Sequence, residues 1–85
     1  MKKLLHFTAS WCVPCKAMQP IIDNFISLNN DIEYVKVDVD LPENKSLIQE
    51  NSIVGVPTLI AMKDDQILSR QTGASTKEKI EGLFA

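Results

Sequence analysis

The sequence predicts an α/β fold in the order βαβ then ββα, with a four-stranded mixed sheet flanked by three helices in a single domain over residues 1–85. Three observations carry this expectation. Short apolar runs bounded by polar turns mark four strands, and apolar side chains at helical spacing mark the helices. Both cysteines of the chain, Cys12 and Cys15, fall where the first strand gives way to the first helix.

Lys3 to Thr8 is the first apolar run and reads as a strand. From Pro14 to about Leu28, residues Met18, Ile21, Ile22, Phe25 and Ile26 share one helical face. Pro14 has φ preset for a first helical turn and lacks the N–H that would be unpaired there, so the helix starts at Val13 or Pro14. Pro20 lies inside it, removes one backbone bond and is expected to kink the axis. After a turn at Asn29-Asn30-Asp31, residues Ile32 to Val39 alternate, Val35, Val37 and Val39 against Lys36 and Asp38, as a second strand does. Two strands flanking a helix form a right-handed unit with a parallel pair, and its site lies at the strand carboxyl ends. Cys12 stands at such an end.

Pro42 and Glu43 open a short helix carrying Leu47 and Ile48. Val56 to Met62 reads as a third strand, Lys63 to Gln66 as a polar turn, and Ile67 to Thr72 as the returning strand of a hairpin that Gly73 ends. Ser75 and Glu78 have capping-box spacing, and Ile80, Leu83 and Phe84 follow on one face of a last helix.

The composition is that of a globular chain, with 45% hydrophobic and 24% charged residues. A net charge of −2 and scattered lysines argue against nucleic acid, which demands a clustered basic surface. Met1-Lys2-Lys3-Leu4-Leu5 is like the opening of a signal peptide, but His6, Thr8 and Ser10 interrupt the apolar run well short of about 7–15 residues. No stretch reads as transmembrane, so no membrane role is expected. The expected setting is a reducing, cytoplasmic one and the expected state a monomer; there a close cysteine pair serves catalysis or metal binding more often than structure.

A thiol at the start of a helix faces unpaired N–H groups and the positive end of the macrodipole, which stabilise its thiolate. Cys12 is therefore the expected nucleophile. Cys15, one turn further in, is the resolving thiol. As a staple, the pair would close a loop of about four residues and contribute only about 2 kcal/mol. As a zinc site it would need about four ligands, and the chain offers two cysteines and His6. No metal and no bound cofactor are expected.

Phe7, Ala9, the run Trp11-Cys12-Val13-Pro14-Cys15-Lys16, Pro20, Lys36, Asp40, Gly55 to Leu59 and Gly73-Ala74 together resemble the thioredoxin family across nearly the whole chain. The resemblance implies the minimal thioredoxin fold and reduction of protein disulfides by a reversible Cys12–Cys15 disulfide. It also implies a cis bond before Pro57 that brings the backbone of Val56 beside Cys12, to pair with an extended substrate segment. Trp11, Val56, Gly73 and Ala74 would form the apolar rim that receives such substrates. Because the chain has no Gly-rich dinucleotide loop, electrons must come from outside, and the family implies an NADPH-dependent thioredoxin reductase.

The chain departs from the family pattern in three ways. It lacks the family's usual first strand and helix. Val13 stands where thioredoxins usually carry Gly, which bears on the redox tuning shared with Pro14. His6 stands where the family has a buried Asp beneath the cysteines. Neutral imidazole could assist proton transfer at Cys15, and Lys36 on the neighbouring strand would disfavour its charged form. A satisfied core histidine is the simpler reading of His6, as a solvated charge is of Lys16. Asp38, Asp40, Asp64 and Asp65 read as solvated strand ends and a turn. The rival functions are a glutaredoxin-type enzyme served by the glutathione system, and a docking subunit whose cysteines are incidental. Trp11 before the pair, Pro14 before Cys15 and Gly73-Ala74 favour the thioredoxin type.

Overall fold

Strand β1, Lys2–Thr8, decides how the layers stack in this computed structural model, which describes residues 1–85. From Leu4 onward every residue of β1 is buried, because the strand is central and both of its faces are covered. Leu4 joins Met18, Ile22, Phe25, Leu59 and Ile80 in one core cluster. Leu5 and Phe7, on the opposite face, join Val37 and Ile60 in a second. His6 and Thr8 share the face of Leu4 by the same alternation, so two polar residues enter the layer under the first helix.

That helix, α1, spans Val13–Ser27 with Pro14 in its first turn and buries Cys15, Met18, Ile22 and Phe25 along one stripe. It crosses back over the sheet to strand β2, Ile32–Asp38, which runs parallel to β1 with Lys36 opposite His6 and Tyr34 opposite Leu4. A 3₁₀ turn at Pro42–Asn44 runs into α2, Lys45–Glu50, whose Leu47 and Ile48 pack on the second cluster. Strands β3, Thr58–Lys63, and β4, Gln66–Thr72, are antiparallel, and α3, Lys77–Gly82, closes the chain. The sheet order is β2-β1-β3-β4, with β1 antiparallel to β3. The mixed four-stranded sheet and three helices are those expected.

The differences lie at boundaries. The third strand begins at Thr58 rather than Val56, because Pro57 has no N–H to give to the ladder. Helix α1 continues without interruption past Pro20 to Ser27. The cap of α3 is Thr76, whose Oγ1 accepts the N–H of Lys79 at 3.3 Å, and not Ser75. Ser75 is buried and its hydroxyl donates to the carbonyl of Gly73 at 3.3 Å, so it is not free to cap.

Thr76→Ala is therefore expected to destabilise the protein by about 1 kcal/mol through loss of the cap. Ser75→Ala leaves that cap intact. Urea unfolding of the two variants checks the assignment: helical signal at the last turn should weaken first in Thr76→Ala, and the reverse order would return the cap to Ser75.

Candidate active site

Cys12 is the N-cap of α1. Its backbone is extended (φ −86°, ψ 107°) and its Sγ accepts the N–H of Cys15 at 3.2 Å. Pro14 contributes no N–H, so the sulfur faces the donors the helix start leaves over. The N–H of Cys12 is held in turn by the carbonyl of Ala9 at 3.2 Å, which ties the end of β1 to the start of the helix. The two cysteines are joined as a disulfide with their Cα atoms 5.2 Å apart. Exposure does not separate them, since Cys12 is 4% and Cys15 2% exposed. The cap does: only Cys12 Sγ takes a helix N–H.

Around the pair the structure gathers most of the residues singled out from sequence. Ala9, Cys12 and Cys15 form a small cluster on which Val39 and Val56 pack. The Val56–Pro57 bond is cis. Gly73, at φ 93°, donates its N–H to the carbonyl of Pro57 at 2.8 Å, which brings the Gly73-Ala74 turn against the Val56-Pro57 segment. Trp11 is 64% exposed, and its indole N–H donates to Asp40 Oδ2 at 2.7 Å. Asp40 is thus not a free solvated carboxylate but the residue that fixes the Trp11 ring. Asp64 likewise receives the N-terminal ammonium, which lowers its pKa. A shallow apolar groove of about 260 Å³ runs from Trp11 past Ile48 and Val56 to Val54, which is 95% exposed. Val54 was not foreseen; one exposed Val among loop residues has no periodic signal. Val13, 74% exposed, and Pro14 lie at the surface of the first turn.

On the other side of Cys15 lies a polar cleft of about 620 Å³, walled by Cys15, Lys16 and Gln19 of α1 and by Thr8, Lys36 and Asp38 of the sheet. His6 sits beside it, fully buried. Its Nδ1 is 2.8 Å from the hydroxyl of Tyr34, and Gln19 Nε2 donates to the same hydroxyl oxygen at 3.0 Å and to Asp23 Oδ1 at 2.8 Å. With Gln19 donating to the oxygen, the Tyr34 O–H is free to donate to Nδ1, the arrangement that goes with the imidazole proton on Nε2. That Nε2 has no partner. His6 is therefore not the satisfied core histidine of the simpler reading. Its pKa is lowered from 6.5 to about 4, first by burial and then by Lys36, with Asp23 opposing. Burial likewise raises the pKa of Tyr34. No group of three or more His, Cys, Asp or Glu side chains is placed to hold a metal ion.

A sulfur that caps a helix, bonded to a second sulfur one turn on, is arranged for exchange with other sulfurs, and the class it defines is the thiol–disulfide oxidoreductase. Comparison with known proteins agrees. The family model described as Thioredoxin matches residues 1–85. The chain is 34% identical over 82 residues to the mitochondrial Thioredoxin-3 of Saccharomyces cerevisiae, covering 96% of this chain and 63% of that protein. It is 31% identical over 81 residues to the thioredoxin of Bacillus subtilis, covering 94% of this chain and 76% of that one. The crystal structure of the oxidised yeast mitochondrial protein superposes with a TM-score of 0.85 at 34% identity, over 98% of this chain and 76% of that one. A thioredoxin f2 solved in complex with ferredoxin:thioredoxin reductase superposes with a TM-score of 0.86 at 28% identity, over 98% of this chain and 74% of that one. The chain belongs to the thioredoxin family.

The buried imidazole makes stability depend on pH. Between 6.5 and about 4 the unfolded chain binds a proton at His6 that the folded chain does not, so stability falls as pH drops through this window and the loss levels off below it. Urea unfolding at about pH 7 and about pH 4.5 should show a larger loss for the natural protein than for His6→Asn, because the carboxylates titrate alike in both. Equal losses would mean that His6 does not carry the effect.

Proposed function

We propose that this protein reduces disulfides of protein substrates, with Cys12 as nucleophile and Cys15 as resolving thiol. The observation that carries this reading is the N–H of Cys15 on Cys12 Sγ, which favours the charged form of Cys12. The Cys12 thiolate attacks one sulfur of the substrate disulfide, forming a Cys12–substrate bond and releasing the other sulfur as a thiolate that takes a proton from solvent. Cys15 then attacks Cys12 Sγ, giving the Cys12–Cys15 disulfide and the second substrate thiol. Each turnover leaves the protein two electrons short.

The Trp11 ring, held by Asp40, and the groove reaching Val54 supply an apolar landing surface, and Val56, packed on the cysteine cluster, is assigned the strand-like pairing with an extended substrate segment. His6 and Lys36 belong to the reading as the groups that manage the Cys15 proton. Regeneration is assigned to an NADPH-dependent thioredoxin reductase; the relative solved with ferredoxin:thioredoxin reductase supports a reductase partner in general. The working form is a monomer in a reducing, cytoplasmic setting, where thiol pairs are kept reduced.

Reduction of insulin in the presence of a dithiol reductant tests the assignment. Cys15→Ser should accumulate a covalent complex with the substrate through Cys12, whereas Cys12→Ser should form none and fall to background reduction. Complex formation through Cys15 in the Cys12→Ser protein would reverse the two roles, and undiminished reduction by both variants would remove the enzymatic reading.

A further inference from the structure

His6 Nε2 is the one buried side-chain nitrogen or oxygen in the protein without a hydrogen-bond partner. Leaving such a group unpaired costs about 1–3 kcal/mol. The other face of the same ring is satisfied through Tyr34, which is only half-buried and so connects the ring to water. The fold places His6 beneath the helix that carries Cys15. Helix α1 runs back over β1, with Ala9 packed on Cys12 and Cys15 and with Gln19, one turn after Cys15, bonded to the hydroxyl that touches His6. His6 therefore lies under the first turns of α1, on the side of the sheet that this helix covers. Thr8, two residues on, and Lys36, the register partner of His6, wall the cleft together with Cys15.

We propose that Tyr34 is the solvent-side half of a proton relay that serves Cys15 through His6, and that the imidazole changes tautomer each time the Cys12–Cys15 disulfide opens or closes. The proposal rests on the oxidoreductase reading and deepens it. In the disulfide form, the Tyr34 O–H donates to Nδ1 and the ring proton is on Nε2. When a dithiol reductant opens the disulfide, Cys15 leaves as a thiolate and takes that proton by way of one intervening water. Nδ1 takes the proton of Tyr34, and the Tyr34 oxygen takes one from water. The S–S bond has gained two electrons from the reductant, Cys15 has become a thiol, and the ring is again neutral, now with Nδ1–H donating to Tyr34. Resolution of a mixed disulfide runs the same chain backwards: Cys15 gives its proton to Nε2 through the intervening water, Tyr34 passes one to water, and the new sulfur bond forms as the substrate thiolate departs and is protonated by solvent.

The surroundings suit a ring that stays neutral throughout. Lys36 from β2 opposes a charge on the imidazole and Asp23 from α1 favours one, while β3 sets the apolar Leu59 opposite it. The net effect is a pKa of about 4, so at neutral pH only the two neutral tautomers exchange. Tyr34 is thus a positioning residue, acting on Cys15 through His6.

Two measurements on the intact protein test this. The first is the ¹⁵N imidazole spectrum of His6, which should show the proton on Nε2 in the oxidised protein and on Nδ1 in the reduced one. The same tautomer in both states would overturn the relay. The second is reaction with the aromatic disulfide 5,5′-dithiobis(2-nitrobenzoate), in which Cys12 attack releases one chromophore and Cys15 resolution a second. Tyr34→Phe should leave the first release unchanged and slow the second about tenfold, a part of the roughly 10²–10⁴-fold that a positioned proton acceptor contributes. It should also remove the acceptance of a proton at Nδ1 on reduction. An unchanged second release across pH would overturn the relay alone, whereas absence of both releases from the natural protein would overturn it together with the oxidoreductase reading.

Discussion

The contact between the Cys15 N–H and Cys12 Sγ is the constraint on which the rest of the site depends. A helix must begin at Val13 for that N–H to be spare, and β1 must end at Thr8 for Ala9 to hold Cys12 from behind. Pro14 keeps the first turn helical while adding no competing donor. The same arrangement that stabilises a thiolate therefore also caps α1, and a site that caps its own helix is held by the element it activates. An N-cap acceptor contributes about 1 kcal/mol to an ordinary helix. Here the charged form of that acceptor is the reactive species.

Sheet polarity sets where the polar side of the site lies. A central strand covered on both faces ordinarily carries apolar residues throughout, and β1 obeys this with Leu4, Leu5 and Phe7. His6 and Thr8 break the rule on one face only, beneath α1 and beside Cys15, while the opposite face under α2 stays apolar. The polar cleft and the apolar groove thus lie on different sides of the cysteine pair. Substrate chains and protons need not compete for one approach.

Much of this was legible in the sequence. Cys12 and Cys15, the four strands and the stripe Met18, Ile22 and Phe25 follow from spacing and alternation, and Trp11, Pro57 and Gly73-Ala74 came with the family resemblance. What escaped depends on contacts between residues far apart in the chain. Tyr34 reads as an ordinary half-buried strand residue, and only the parallel register of β2 on β1 brings its hydroxyl diagonally to His6. Gln19 reads as a solvated helix position until the helix is laid over that pair. The Trp11–Asp40 bond spans 29 residues, and no local pattern shows that these two side chains meet. The cap of α3 moved from Ser75 to Thr76 because burial of the serine, invisible in a four-residue motif, commits its hydroxyl elsewhere.

The most direct test of the central claim is a titration of the reduced protein by ultraviolet thiolate absorbance, with Cys12→Ser and Cys15→Ser variants to separate the sulfurs. Cys12 is predicted to ionise first, below the value of about 8.5 for a free cysteine, and Cys15 after it. A Cys12 midpoint at or above the free value, or ionisation of Cys15 first, would contradict it.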